Sequence, residues 1–136
     1  MQKKKIAIIG GGVAGMEAAR VCAIRSHEVV LYEKNDRLGG NLIPGGAPDF
    51  KEDDHALIRW YEPQLKKLHV TVNLNAEATE SMIKELQADE LILATGSSPK
   101  MLHVEGVEML TTEDVLTQKK RCRKINSYHW RRARWM

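Results

Sequence analysis

The sequence has few cysteines and no long apolar run. Its 136 residues include two cysteines, and neither forms a C-x-x-C pair, so there is no thiol set for a metal, an iron–sulfur cluster or a redox disulfide. No apolar stretch approaches the roughly 20 residues of a membrane-spanning helix. The apolar run near the N-terminus is too short for a secretory signal peptide, which makes a cytoplasmic protein our expectation.

A convincing catalytic acid, base or nucleophile is also lacking. His55, His69 and His103 are isolated in the sequence, and we interpret them as surface residues. We therefore expect neither catalytic residues nor metal ligands in this chain.

Acidic residues are missing from the C-terminal end. Residues 118–136 carry eight Lys or Arg and no acid, whereas residues 1–117 carry 13 bases and 18 acids, a net charge of −5. The overall charge of +3 therefore combines an acidic body with a separate basic tail. Aromatic residues interleaved with the basic ones suggest nucleic-acid binding by phosphate contacts and stacking, the least favoured of our functional hypotheses.

The tail, residues 118–136, has another explanation in the genetic code. If its codons are read one nucleotide further along, Trp130 and Trp135 each become Gly, and Met136 followed by any stop codon becomes Cys. At the other positions of residues 126–136, where the codon is less constrained, the shifted frame can encode an apolar strand followed by G-x-G-x-x-G. We hypothesise that the tail is translated out of frame, that the gene product is truncated, and that the tail is disordered.

The strongest positive signal lies near the N-terminus. Ile6–Ile9 is a short apolar run typical of a parallel strand covered on both faces. A glycine turn of the form G-x-G-x-x-G follows and leads into a helix predicted over 13–25, with Ala14, Ala18, Val21 and Cys22 on its inner face. A second strand, predicted over 28–32, ends at an acidic residue. The segment therefore predicts a strand–turn–helix–strand unit.

Each glycine of the motif has its own physical reason. Gly10 allows a tight turn, Gly12 allows a pyrophosphate to touch the backbone, and Gly15 allows the helix to pack close to the strand. The N–H groups and the dipole at the helix start favour phosphate binding. Glu33, 18 residues after Gly15, can accept both ribose hydroxyls, and its charge disfavours a 2'-phosphate. In this context the motif predicts a site for FAD or NAD rather than NADP.

Strands and helices alternate along the rest of the body. We predict a helix from residue 53 or 54 to 68, kinked before Pro63, and a shorter helix over 80–86. A strand is predicted over 70–74 and a buried strand over 90–94. This alternation predicts a Rossmann-like α/β fold with a central parallel sheet. The predicted core face of the longer helix comprises Leu57, Trp60, Tyr61, Leu65 and Leu68.

The order of these motifs resembles the FAD-binding region of two-dinucleotide-fold flavoproteins of the NADH:flavin oxidoreductase group. This group includes 2,4-dienoyl-CoA reductase, enoate reductase and trimethylamine dehydrogenase. The resemblance covers about residues 4–117. The segments that carry it are IAIIGGGVAGMEAARV at 6–21, HEVVLYEKNDRLGGNL at 27–42, FKED at 50–53, QLKKL at 64–68, LILATGSSP at 91–99 and TTEDVL at 111–116.

The resemblance implies a set of cofactor-binding residues along the dinucleotide. For Arg37, a solvated loop charge is the alternative, and for Thr95-Gly96 an ordinary strand-ending turn. Two departures concern Ser26 and His69, which stand where the family usually has a helix-ending glycine; a left-handed backbone there would cost about 1 kcal/mol each. The implied set is Gly10, Gly12, Val13, Ala14, Gly15, Glu33, Lys34, Arg37, Gly40, Asn41, Ala78, Ala94, Thr95 and Gly96.

Members of the group also contain parts that this sequence lacks. The resemblance implies a barrel with FMN and an iron–sulfur cluster, a nicotinamide-binding domain, and a return segment that completes the FAD site. We therefore expect residues 1–117 to be the N-terminal portion of an FAD-binding domain that is not catalytic alone and that exposes surfaces for self-association. A simple NAD- or ADP-binding module is the alternative.

Overall fold

In the computed structural model, the described residues are 2–100, 105–106 and 109–117. The chain divides into two compact units, Met1–Ser98 and Pro99–Met136. The tail from residue 118 lies outside the described residues, so its predicted disorder and the predicted boundary after residue 117 stay predictions.

The first unit is built on a four-stranded parallel sheet. Its strands are β1 (Lys5–Ile9), β2 (Glu28–Tyr32), β3 (Thr71–Asn73) and β4 (Glu90–Leu93), in the order β3-β2-β1-β4. The continuous apolar run of β1 occupies a central position, where Ile6–Ile9 are all buried. The predicted α/β fold with a central parallel sheet is confirmed.

Three of the four helices of this unit lie within two residues of their predicted ends, whereas the single turn at Leu42–Gly45 was not predicted. They are α1 (Val13–Ile24), the single turn α2 (Leu42–Gly45), α3 (Glu52–Lys67) and α4 (Glu80–Glu85), with a 3-10 turn at Asp49–Lys51. The N-terminus of α3 carries three acidic residues in its first turn, which the helix dipole favours. This helix continues through its internal proline, and the predicted kink stays a prediction.

The core lies between the sheet and the layer of α1 and α3. Side chains of β1 and β2 meet Met16 and Ala19 of α1, which are fully buried. Of the predicted inner face of α1, Ala18 and Cys22 pack against the core, as predicted, whereas Ala14 is exposed. The buried cluster comprises Ile6, Ile8, Met16, Ala19, Val29, Leu31, Leu38, Tyr61, Leu65 and Val70.

The sequence analysis overestimated how much apolar surface is buried on α3 and on β4. α3 buries a narrow stripe of Ile58, Tyr61 and Leu65, while Leu57 and Trp60 are 37% and 47% exposed. The reason is that α3 packs against α1 and α2 and is covered along one side only. β4 was predicted to be buried, yet it is the last strand of the described sheet and most of it is exposed.

Two helices end in Schellman motifs whose left-handed residue is not glycine. Ser26 has φ +67° after α1, and His69 has φ +56° after α3. Both ends are Schellman motifs, in which two successive N–H groups satisfy carbonyls of the last helical turn. The donor–acceptor pairs are Ser26 to Ala23 (2.9 Å), His27 to Cys22 (3.1 Å), His69 to Lys66 (3.1 Å) and Val70 to Leu65 (3.0 Å).

The second unit contains one short described helix, α5 (Thr112–Leu116). It begins at a capping box: the Asp114 N–H donates to Thr111 Oγ1 at 3.0 Å, and the Thr111 N–H donates to Asp114 Oδ2 at 3.2 Å. Across the described part of the chain, every helix is too short or too polar to cross a membrane.

Candidate functional site

The glycine turn joins β1 to α1 and admits no side chain at two of its glycines. Gly10 has φ +107°, and a Cβ there would lie 2.3 Å from the Ala94 carbonyl oxygen. A Cβ on Gly15 would lie 1.8 Å from the Gly10 carbonyl oxygen. Both contacts are far inside van der Waals distance. The tight turn at Gly10 and the close helix approach at Gly15 are therefore requirements of the fold itself.

The remaining glycine of the motif, Gly12, is different. Among the described residues, no atom lies within 4 Å of a Cβ built on Gly12, and its φ of −72° suits any residue. The protein's own packing therefore does not require glycine here. Gly12 is the N-cap of α1, no described side chain caps this helix, and the amides of its first turn have no acceptor within the helix. The open space thus faces a helix N-terminus suited to an anion. Val13 and Ala14, in that first turn, are both exposed.

Glu33 lies at the end of β2, beside the glycine turn, because β1 and β2 are neighbouring parallel strands. Its side chain is buried, with 6% exposed. Glu33 Oε2 accepts a hydrogen bond from the Gly11 N–H at 2.6 Å. Glu33 Oε1 accepts from both the N–H and the side-chain Nδ2 of Asn35, at 2.8 and 2.7 Å. The fold therefore fixes this carboxylate against the turn.

The loop after β2 forms a second wall of the site. The Gly39 N–H donates to the Gly11 carbonyl at 2.9 Å, and Gly12 and Gly39 form a parallel bridge. Gly40 has φ +51°, and a Cβ on it would lie 3.1 Å from Gly12 Cα. Backbone thus packs on backbone here. Among the predicted site residues of this loop, Gly40 is brought to the turn, while Lys34, Arg37 and Asn41 have exposed side chains.

The end of β4 closes the other side of the turn. The Ala94 N–H donates to the Ile9 carbonyl at 2.8 Å, which extends the β1–β4 pairing by one residue. Ala94 therefore lies against Gly10, and its implied contact with the cofactor stays a prediction. Thr95 and Gly96 follow it and are exposed, and Gly96 has φ +69°.

The segment after β3 reaches the site through backbone hydrogen bonds. The Ala76 N–H donates to the Glu33 carbonyl and the Asn75 N–H to the Asn35 carbonyl, both at 2.9 Å. Ala78 is half-buried two residues further on. The structure therefore brings Asn75 and Ala76 to the end of β2, and the implied approach of Ala78 to the adenine through backbone groups stays a prediction.

Two residues of the site were missed from the sequence. Asn35 contacts the Glu33 carboxylate twice, and Leu38 fills the space behind the turn, where its Cδ2 would lie 2.5 Å from a Cβ on Gly11. The signal for Asn35 was available: an Asn two residues after a strand-ending acid can donate to that acid through a local turn.

A polar network joins α1 to α3 outside the site. Arg20 donates from Nε and Nη2 to the two carboxylate oxygens of Glu17, both at 2.7 Å, and Tyr61 Oη donates to Glu17 Oε2 at 3.1 Å. The guanidinium also lies 5.7 Å from the centroid of the Trp60 ring. The hydrogen bond from Arg20 lowers the pKa of Glu17, and burial raises the pKa of Tyr61. The network therefore links α3 to α1, the helix that follows the glycine turn.

Comparison with known proteins agrees with this geometry. A family profile described as "Pyridine nucleotide-disulphide oxidoreductase" matches residues 4–130. The chain belongs to this family. It is a partial FAD/NAD-binding domain of Rossmann-like fold, and the resemblance drawn from the motifs is confirmed.

Individual relatives are much longer than this chain. Cinnamate reductase of Clostridium sporogenes is 59% identical over 120 residues, 88% of this chain and 18% of its own length. Bilirubin reductase of Mediterraneibacter gnavus is 42% identical over 108 residues, 79% of this chain and 17% of its own length. A solved 2-naphthoyl-CoA reductase complex superposes with a TM-score of 0.81 at 36% identity, over 88% of this chain and 19% of that one. The chain spans less than a fifth of each relative.

Proposed function

We propose that the first unit binds FAD, with the pyrophosphate at the glycine turn and the adenosine ribose at Glu33. The observation that carries this proposal is the open space at Gly12. The fold excludes a side chain at Gly10 and Gly15 but has no packing reason to exclude one at Gly12. A glycine there is explained by a ligand that touches the backbone at the start of α1, where phosphate oxygens are favoured.

The remaining contacts follow from the same pose. The backbone N–H groups of Val13, Ala14 and Gly15, in the first turn of α1, donate hydrogen bonds to the phosphates. Gly40 and Ala94 flank the pyrophosphate on its two sides. Lys34, Arg37 and Asn41 lie along the dinucleotide with side chains exposed to it. The segment before Ala78 approaches the adenine, and Thr95 and Gly96 lie where the chain leaves the cofactor. The described residues contribute binding groups and no catalytic ones.

We further propose that this unit serves an NAD(P)H-dependent flavin oxidoreductase that reduces an unsaturated acceptor. The names of the similar proteins, cinnamate, bilirubin and 2-naphthoyl-CoA reductase, support this class. FAD carries the redox chemistry in such enzymes, and the protein binds and orients it. The resemblance to the NADH:flavin oxidoreductase group adds FMN and an iron–sulfur cluster, which segments other than this chain would hold. The unit alone is inactive, and its cytoplasmic location is part of the same proposal.

The test is the visible absorption spectrum of freshly purified protein, followed by chromatography of the cofactor released on denaturation. A flavin spectrum with released FAD supports the proposal. The alternative is a simple NAD- or ADP-binding module, because a carboxylate at the position of Glu33 accepts the ribose hydroxyls of any adenosine. Competition among FAD, NAD and ADP separates the two: the FAD proposal fails if FAD binds no more tightly than ADP.

Self-association is a separate proposal that rests on β4. Leu91 and Leu93 are 41% and 68% exposed on this last strand of the described sheet. Apolar side chains on an unpaired strand edge favour association with another chain. Light scattering should show a species larger than the 15.4 kDa monomer, and a monomer at all concentrations would contradict it.

The tail, residues 118–136, lies outside the described residues. We propose that it is translated out of frame, which sequencing of the coding DNA tests directly. A downstream frame that does not encode the second glycine motif contradicts this. Nucleic-acid binding, the least favoured alternative, predicts steeply salt-dependent binding that disappears when residues 118–136 are deleted.

A further inference from the structure

The Glu33 carboxylate is almost fully occupied by the chain's own hydrogen-bond donors. An ionised carboxylate has about four acceptor positions, two on each oxygen. The N–H and Nδ2 of Asn35 take two positions on Oε1, at 2.8 and 2.7 Å, and the Gly11 N–H takes one on Oε2, at 2.6 Å. One acceptor position is therefore left, on Oε2.

A ribose presents two neighbouring hydroxyls. If both are to donate to Glu33, they need two acceptor positions, and one more must be vacated. Two of the three present donors are backbone amides that the fold holds in place: Gly11 belongs to the glycine turn, and the Asn35 carbonyl is bonded to the Asn75 N–H at 2.9 Å. The third donor, the Asn35 carboxamide, belongs to an exposed residue and can leave by rotation about its side-chain bonds.

We propose that the Asn35 carboxamide occupies the place of one ribose hydroxyl and is displaced when the adenosine half of the dinucleotide binds. Asn35 is then a specificity-determining residue: it satisfies the buried carboxylate without ligand and sets a displacement cost that only a ligand donating both hydroxyls has to meet. This inference rests on the proposed function, since it takes Glu33 as the ribose acceptor. The new element is that the Asn35 side chain competes with a ribose hydroxyl for Glu33 Oε1.

The test compares Asn35→Ala with the wild type, using ADP and 2'-deoxy-ADP as probes in isothermal titration calorimetry. N35A removes the carboxamide and keeps both backbone amides. Because a hydrogen bond to a charged group must be exchanged in the wild type, we expect N35A to bind ADP on the order of three- to tenfold more tightly. 2'-Deoxy-ADP has one hydroxyl, which the remaining acceptor position already serves, so its affinity should change less than about twofold.

A second variant and a second readout protect the test from folding effects. Asn35→Asp places a second carboxylate beside Glu33, and ADP should bind more weakly to it than to the wild type. In wild-type protein labelled with ¹⁵N, the Asn35 side-chain NH₂ resonances should move on addition of ADP toward positions typical of solvated amides. Both readouts use the full chain.

The outcomes separate this inference from the function beneath it. If the wild type binds ADP but N35A binds it equally or more weakly, or if the Asn35 NH₂ resonances do not move at saturation, the displacement is wrong and the dinucleotide site stands. If neither the wild type nor N35A binds ADP, the proposed function fails, and this inference fails with it.

Discussion

Replacing the left-handed residues of the two Schellman motifs, Ser26 and His69, by glycine should stabilise the protein. Ser26 and His69 have φ of +67° and +56° in Schellman motifs, and both side chains are exposed. A left-handed non-glycine residue costs about 1–2 kcal/mol, from which about 0.5–1 kcal/mol is subtracted for the greater freedom of glycine in the unfolded chain. Each variant, Ser26→Gly and His69→Gly, should therefore gain about 0.5–1 kcal/mol.

The assay is urea-induced unfolding followed by far-UV circular dichroism, with Ser26→Ala and His69→Ala as matched controls. The alanine variants also lose the side chain but keep the Cβ that strains the left-handed backbone, so they should gain little. The two motifs lie on different helices and share no hydrogen-bond partner, so the double glycine variant should gain the sum of the two. Glycine variants no more stable than their alanine counterparts would refute the reasoning.

Two further predictions concern the long helix and its polar network. Pro63→Ala should raise the free energy of unfolding, by up to about 3 kcal/mol, because alanine restores an N–H donor inside α3; an unchanged urea midpoint would contradict this. Glu17→Gln should lower stability by less than about 1 kcal/mol near pH 7, because the Arg20–Glu17 pair is partly exposed to solvent, which screens it. Since the folded-state pKa of Glu17 lies below its ordinary value of 4.5, the wild-type advantage exists above that value and is lost as pH falls through the folded pKa. A difference that persists at low pH in matched unfolding curves would contradict this.

The sequence predicted the glycine turn well because the spacing of its glycines is a local signal. At Gly10 and Gly15 the same backbone geometry recurs wherever a strand turns tightly into a helix, so spacing alone was informative. The resemblance drew attention to Ser26 and His69, which stand where the family usually has a helix-ending glycine, and both have a left-handed backbone. The contact of Gly15 with Gly10 and the hydrogen bonds of the two Schellman motifs lie within a few residues along the chain, whereas Gly10 also packs against Ala94.

The sequence could not predict how much of α3 and β4 is covered by neighbouring elements, nor the hydrogen bond from the Asn35 side chain to Glu33. Apolar spacing placed Leu57 and Trp60 on the covered side of α3 but could not show how narrow that covered side is. The same limit applies to β4, whose apolar residues indicate a strand but not a second neighbour. The position of the Asn35 carboxamide on Glu33 depends on a side-chain rotamer, which no periodicity encodes.

The central claim is that a dinucleotide touches the backbone at Gly12, and Gly12→Ala tests it most directly. Its Cβ meets no described atom and its φ of −72° is ordinary, so the variant should unfold at the same temperature as the wild type. Gly45→Ala is the matched control, because its Cβ would make an ordinary 3.6 Å contact with Asp54 Oδ2. In a titration with FAD, G45A should bind like the wild type, and G12A should bind at least about tenfold more weakly because the methyl group occupies the pyrophosphate's place. A folded G12A that binds FAD as tightly as the wild type would contradict the account.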